Sequence, residues 1–192
     1  MLDRGVSYEA LIEAFRWSLP ARFNIGVACC DRWAAAEPDR VALVHAHIDG
    51  STTPVTYGDL RRESDRLAFA LTVRGIEIGD RIAVLLPQSA EAVVAHLAVY
   101  KLGGIVVPLA ALFGGDALRY RLRTAGVRAL VTDAFGAAKV REVSRDLPAL
   151  ETIISVDGTD GTIEGWHETL AGFEGRFEPA DTVPDDPALM IF

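Results

Sequence analysis

The chain has 192 residues, 50% of them hydrophobic, with 19 basic against 27 acidic side chains and a net charge of −8. That much apolar material buries a core, which excludes disordered, collagen-like and low-complexity classes. The negative charge repels a phosphate backbone and an anionic membrane surface, so no nucleic-acid partner is expected. The two cysteines, Cys29 and Cys30, are adjacent; they match neither a spaced metal-ligand pattern nor a secreted disulfide framework, and a reducing cytoplasm is the expected compartment.

Met1 to Phe15 mixes Asp3, Arg4, Glu9 and Glu13 into an amphipathic pattern, without the continuous apolar stretch of an export signal. Asn24 caps a helix through Ala36, so residues 1–40 read as an N-terminal helical arm ahead of an α/β subdomain over 41–192. Val41 to Tyr57 reads as a β-hairpin around Asp49-Gly50, with Ala42, Val44, Ala46 and Ile48 on one face. Thr56 and Asp59 form a capping box for a helix whose stripe is Leu60, Leu67, Ala68 and Leu71, stopped by Gly75.

From Asp80 onward, short apolar runs alternate with helix-length segments closed by glycine, the pattern of βαβ units around a mainly parallel sheet. The predicted strands are Ile82 to Leu86, Ile105 to Val107, Ala129 to Val131, Ile153 to Val156 and Ala188 to Phe192, none alternating, as suits strands covered on both faces. Helices are expected from Ser89 to Leu102, buried on more than one side, from Asp116 to Ala125, and from Asp133 to Arg145. Ala92 to Phe113 is apolar over a membrane-spanning length, but Gly103-Gly104 divides it and Ile105-Val106-Val107 is β-branched. A helix followed by a buried strand is expected there, and no membrane span. Phe173 to Pro187 reads as an acidic, proline-containing connector.

Chemistry-bearing residues are sparse. His45, His47 and Asp49 share a strand face, but the outer two stand roughly 13 Å apart at about 3.3 Å per residue, too far for one ion, and a solvated face is expected. His96 reads as a hydrogen-bonded core histidine, His167 has no visible partner, and both cysteines read as buried packing residues. Arg119, Arg121, Arg123 and Arg128 read as a solvated helix face, with phosphate contact as the alternative. Neither a Gly-x-Gly-x-x-Gly nor a Walker pattern occurs, and Gly114-Gly115 alone, between a strand and a helix, is a weak phosphate signal. No Ser-His-Asp arrangement or nucleophile elbow is present.

Several stretches, in order, resemble the opening segment of the adenylate-forming acyl-CoA synthetase family. They are RFNIGVACCDRWA (Arg22 to Ala34), EPDRVAL (Glu37 to Leu43), VTYGDL (Val55 to Leu60), GIEIGDRIAVLLPQS (Gly75 to Ser89), LAVYKLGGIVVPL (Leu97 to Leu109), FGGDALRYRL (Phe113 to Leu122) and DDPALMIF (Asp185 to Phe192). Arg22 to Trp33 is more similar to the acetyl, medium-chain and benzoate branch than to carrier-protein-loading domains or luciferases. The resemblance implies a three-layer α/β fold, an incomplete part of the large N-terminal domain of adenylate-forming enzymes. It implies a two-step ligation of a small carboxylic acid, using ATP, magnesium and coenzyme A.

In that family the Ser/Thr/Gly-rich phosphate loop follows the strand matched by Ala188 to Phe192, and the adenine segments and catalytic lysine come later still. The resemblance therefore implies an N-terminal fragment with no catalytic or metal-binding residue of its own, inactive alone and binding no cofactor tightly. It also places Leu112, Phe113 and Gly114 near the coenzyme A approach and makes Lys139 a candidate for a nucleotide phosphate, ordinary helix solvation being the other role open to it. A standalone α/β binding or interaction module without catalysis is the alternative, and an apolar end at Leu189 to Phe192 makes a homodimer possible.

Overall fold

The computed structural model describes residues 7–47 and 49–192. After α1 (Tyr8–Ala14), which buries none of its residues, the chain runs without regular structure to Asn24. The Asn24 side chain accepts the Val27 amide at 3.2 Å, and the predicted helix follows, broken into a π-helical turn (Val27–Asp31) and α2 (Arg32–Ala36). The hairpin forms from β1 (Val41–Ala46) and β2 (Thr52–Thr56). A register irregularity lies between Val41 and Leu43; Ala42, Leu43 and His45 are half-buried, whereas Val44, Ala46 and His47 are exposed. Of the residues read onto one face, Ala42 packs against the core while Val44 and Ala46 are exposed; Ile48 lies outside the described residues.

Thr56 and Asp59 make both bonds of the capping box at the start of α3 (Tyr57–Val73). Gly75 then turns the chain at φ 79°. The five-stranded sheet comprises β3 (Arg81–Leu85), β4 (Ile105–Pro108), β5 (Ala129–Thr132), β6 (Thr152–Ser155) and a two-residue β7 (Glu164–Gly165), in the order β4-β3-β5-β6-β7 with every pair parallel. The connecting helices are α4 (Ala90–Leu102), α5 (Gly115–Ala125), α6 (Ala134–Val143) and, after β7, α7 (Trp166–Ala171). Left-handed Gly103 and Gly126 close α4 and α5, where a Cβ is disfavoured. The apolar run from Ala92 is thus a helix and a strand, and among the described residues no helix is long and apolar enough to cross a membrane.

Each central strand sends alternate residues to opposite layers. Ile82 and Val84 join α3, α4 and α7 in one core through Leu67, Leu71, Val99 and Trp166. Ala83 and Leu85 join α5 and α6 in the other through Leu118, Leu122 and Val140. Because both faces are covered, the strands need no polar alternation, and the three-layer α/β architecture expected from the apolar runs is the one observed.

The fifth predicted strand does not form as such. Ala188 to Phe192 makes one parallel bridge, Val106 with Leu189, and its last residues are exposed, Ile191 by 73%. Apolar content alone read as a strand, but a strand needs a ladder, and beside the short edge strand β4 only two backbone bonds hold this segment. The acidic connector before it straps the molecule: Ala180 N–H donates to Lys101 O at 2.7 Å and Phe23 N–H to Thr182 O at 2.8 Å.

Candidate functional site

In a doubly wound sheet, ligands bind outside the carboxyl ends of the strands, and the predicted site residues lie there. The chain leaves β4 through a loop, Leu109 to Gly114, tightened by the Phe113 N–H donating to Ala110 O at 3.0 Å. Lys139, in the middle of α6, reaches across and donates to Ala111 O at 2.8 Å and Phe113 O at 3.0 Å. Its ammonium also sits 4.2 Å from the Phe135 ring centroid. The solvated-helix reading of Lys139 therefore fails: the side chain is half-buried and spends its donors tying the loop to α6.

The structure thus brings Phe113 and Lys139 together. The Phe113 ring is covered by Arg121, whose guanidinium carbon is 4.2 Å from the centroid. Leu112 stands in the loop 95% exposed. Gly114 is the extended N-cap of α5, with open space where a Cβ would be and no side-chain cap on the helix. The first amides of α5 therefore face outward next to the loop, with the positive end of the helix dipole behind them.

Beside this loop a cleft of about 690 Å³ opens at the ends of β3 and β4, lined by Leu86, Gln88, His96, Pro108, Ala110 and Ala111. His96 is half-buried, with Nδ1 3.3 Å from the Tyr100 hydroxyl, and burial lowers its pKa, so it is a neutral hydrogen-bonding group at physiological pH. The other titratable candidates disperse. His167 is exposed, Cys29 is exposed against expectation, and Cys30 is buried with its thiol pushed up to about 11, chiefly by burial. Arg119 pairs with Asp116 and Asp146, and Arg128 with Asp80 and Glu151 at 2.7 Å each, so these arginines are ion-pair partners rather than one phosphate-binding face.

What sequence reasoning missed is the most buried charge of the molecule. Lys101 in α4 is 0% exposed, with its ammonium 2.6 Å from Asp65 of α3 and 2.7 Å from Asp31 of the π-helical turn. The signal was present: a lone lysine on a helix with no polar face must meet a counter-charge, and Asp65 sits within the buried stripe of its helix. Burial, with the second carboxylate adding to it, raises the Asp65 pKa against the opposing pull of Lys101.

The comparisons with known proteins fit this geometry. Residues 30–192 match the AMP-binding enzyme family. The chain belongs to that family. It is 30% identical over 193 aligned residues to the acetyl-coenzyme A synthetase of Penicillium chrysogenum, an alignment covering 92% of this chain and 29% of that protein. The acetyl-coenzyme A synthetase of Streptomyces avermitilis is 29% identical over 195 residues, with 92% of this chain and 30% of that protein covered. Among solved structures, an acyl-CoA synthetase from Brucella canis superposes with a TM-score of 0.84 at 26% identity, over 96% of this chain and 35% of that one. An anthranilate CoA ligase solved with anthranoyl-AMP shares the fold, with a TM-score of 0.79 at 23% identity over 89% of this chain and 31% of that one. The chain thus spans less than a third of the length of these acetyl-coenzyme A synthetases. The cleft, the Lys139-tethered loop and the α5 amides lie on the N-terminal portion of an AMP-binding fold.

Proposed function

We propose that this chain is the N-terminal part of an ATP-dependent acyl-CoA synthetase. The reaction would join a carboxylate to coenzyme A in two steps. A carboxylate oxygen attacks the α-phosphorus of ATP and pyrophosphate leaves; the coenzyme A thiol then attacks the acyl carbon and AMP leaves. The observation that carries this reading is the continuous family match over residues 30–192, shared with acetyl-coenzyme A synthetases across 92% of the chain.

Within that reading, these residues build one wall rather than the reaction centre. The loop from Leu112 to Gly114, held by Lys139, would border the coenzyme A approach, with the α5 amides available to an anionic group. Among the described residues no group of three or more His, Cys, Asp or Glu side chains is placed to hold a metal ion. Cys29 and Cys30 as free thiols suit a reducing, cytoplasmic setting.

The test is carboxylate-dependent ATP–pyrophosphate exchange. The 192-residue chain alone is expected to show none, and a protein carrying this chain together with the later segments of its relatives is expected to show it with a short, medium or aromatic acid. No exchange with any such acid from the longer protein would overturn the ligase reading, and exchange by the 192-residue chain would overturn its inactivity. In the longer protein Lys139→Ala should raise KM for coenzyme A by about tenfold, because a 1 Å displacement of a positioning loop costs that much or more.

A further inference from the structure

The chain leaves β3 for α4, which packs in one core layer, and leaves β4 and β5 for α5 and α6, which pack in the other. The connections therefore diverge between β3 and β4, and a doubly wound sheet opens its ligand crevice at such a reversal. The cleft of about 690 Å³ lies at this point. Among the described residues that line it none is charged, and Gln88 and His96 are the polar side chains amid Leu86, Val93, Leu97 and Leu109. Such a wall gives a phosphate or a carboxylate nothing to offset its loss of water, and it suits a neutral chain that carries a few hydrogen-bonding groups.

His96 is already oriented. Its Nδ1 lies 3.3 Å from the hydroxyl of Tyr100, one helical turn on, and Tyr100 itself does not line the cleft. That hydroxyl has no other partner among the described residues, so it donates to Nδ1 and the ring proton resides on Nε2. Nε2 has no partner among the described residues, which leaves its N–H for the cleft. The same wall runs on into the tethered loop. Ala110 and Ala111 line the cleft, Ala111 O is held by Lys139 at 2.8 Å, and the uncapped amides of α5 follow. A ligand spanning both would set an anionic end against those amides and a neutral arm in the cleft.

Coenzyme A has this division, with phosphates at one end and, at the other, a pantetheine arm of methyl and methylene groups and two amides. We propose, resting on the ligase reading, that the pantetheine arm lies in the crevice between β3 and β4 and that His96 is a binding residue for it, its Nε2–H donating to an amide carbonyl of the arm. The bond holds the arm in register for the thioester step and plays no part in adenylate formation, which precedes the arrival of coenzyme A.

The experiment is steady-state kinetics of the longer protein with His96→Leu, which removes the donor, and His96→Gln, whose amide keeps one near the Nε2 position. KM for coenzyme A should rise about fivefold in His96→Leu, the scale of one neutral hydrogen bond, and His96→Gln should recover most of it. With pantetheine as the acyl acceptor the same ratio is expected, because the arm carries the contact. In the unmutated protein, pantetheine should slow carbethoxylation of His96 while exposed His167 stays reactive, a readout independent of how the variants fold. Absence of ATP–pyrophosphate exchange in the unmutated longer protein would overturn the ligase reading and this site with it. Exchange present with KM for coenzyme A unmoved by His96→Leu, or His96 unprotected by pantetheine, would overturn the site alone. So would a penalty that falls on KM for the acid, which would put the acyl group in the crevice.

Discussion

The ammonium of Lys101 is buried from solvent, and its charge is balanced by Asp31 and Asp65, with the Arg61 carbonyl accepting at 3.4 Å. Removing one member of a buried ion cluster leaves the others uncompensated, which commonly costs about 3–5 kcal/mol. Lys101→Met, close in volume but neutral, should therefore destabilise the chain by about that amount in urea unfolding, since two carboxylates would face each other in the core. Asp65→Asn should be far milder, because Lys101 retains Asp31. The same cluster has a pH signature. The folded pKa of Asp65 is raised, so the native state holds a proton that the unfolded chain releases, and the stability this contributes is present at low pH and lost as pH rises through the folded value. Unfolding measured at pH 4 and pH 7 should show the unmutated chain losing ground against Asp65→Asn as pH rises; a difference that is constant or moves the other way would refute this assignment.

At the level of elements, the close approach of α6 to the sheet decides where the candidate loop is held. Gly136 sits in the first turn of α6, where an added Cβ would collide with the Thr132 hydroxyl oxygen and come within 2.9 Å of Leu85 Cδ2. Thr132 cannot simply turn away, since its hydroxyl donates to Leu85 O at 2.9 Å across the β3–β5 junction. Gly136→Ala should therefore cost about 1–3 kcal/mol, the usual penalty of overpacking. It should also push α6 outward and loosen the Lys139 tether, so faster proteolysis within Leu109 to Gly114 is expected alongside the loss of stability. Gly114→Ala, with open space at its Cβ, is the control that should leave stability nearly unchanged.

Across the whole molecule, segments distant in sequence meet at Asn24. Its amide nitrogen donates to Tyr100 O at 2.9 Å and Ala180 O at 3.1 Å while its carbonyl caps the π-helical turn, so one side chain joins the N-terminal arm, the end of α4 and the acidic strap. Asn24→Ala removes a side-chain donor from both carbonyls, which keep the Gly103 and Thr182 amides, and leaves the Val27 amide uncapped, so it should cost about 1–2 kcal/mol. Protease cleavage within 173–188 should accelerate with it, and cleavage as slow as in the unmutated chain would show that the strap is held by other contacts.

What could be read from the chain itself is what depends on neighbours in sequence. The capping box at Thr56 and Asp59, the glycine stops, and the non-alternating apolar runs are local, and they were sufficient for α3 to α6, four of the five predicted sheet strands and the three-layer α/β class, but not for β7 and α7. The ordered motifs from Arg22 to Phe192 were likewise sufficient for the family. Tertiary structure decided whatever depended on partners distant in sequence. A strand exists only if a ladder receives it, so Ala188 to Phe192 fell short. Which hairpin residues packed on the core, Ala42, Leu43 and Val55, was likewise decided by the elements that the hairpin meets. The role of Lys139 as a tether and the burial of Lys101 followed from carbonyls and carboxylates 26 to 70 positions away, because burial makes an unpaired charge too costly to leave alone.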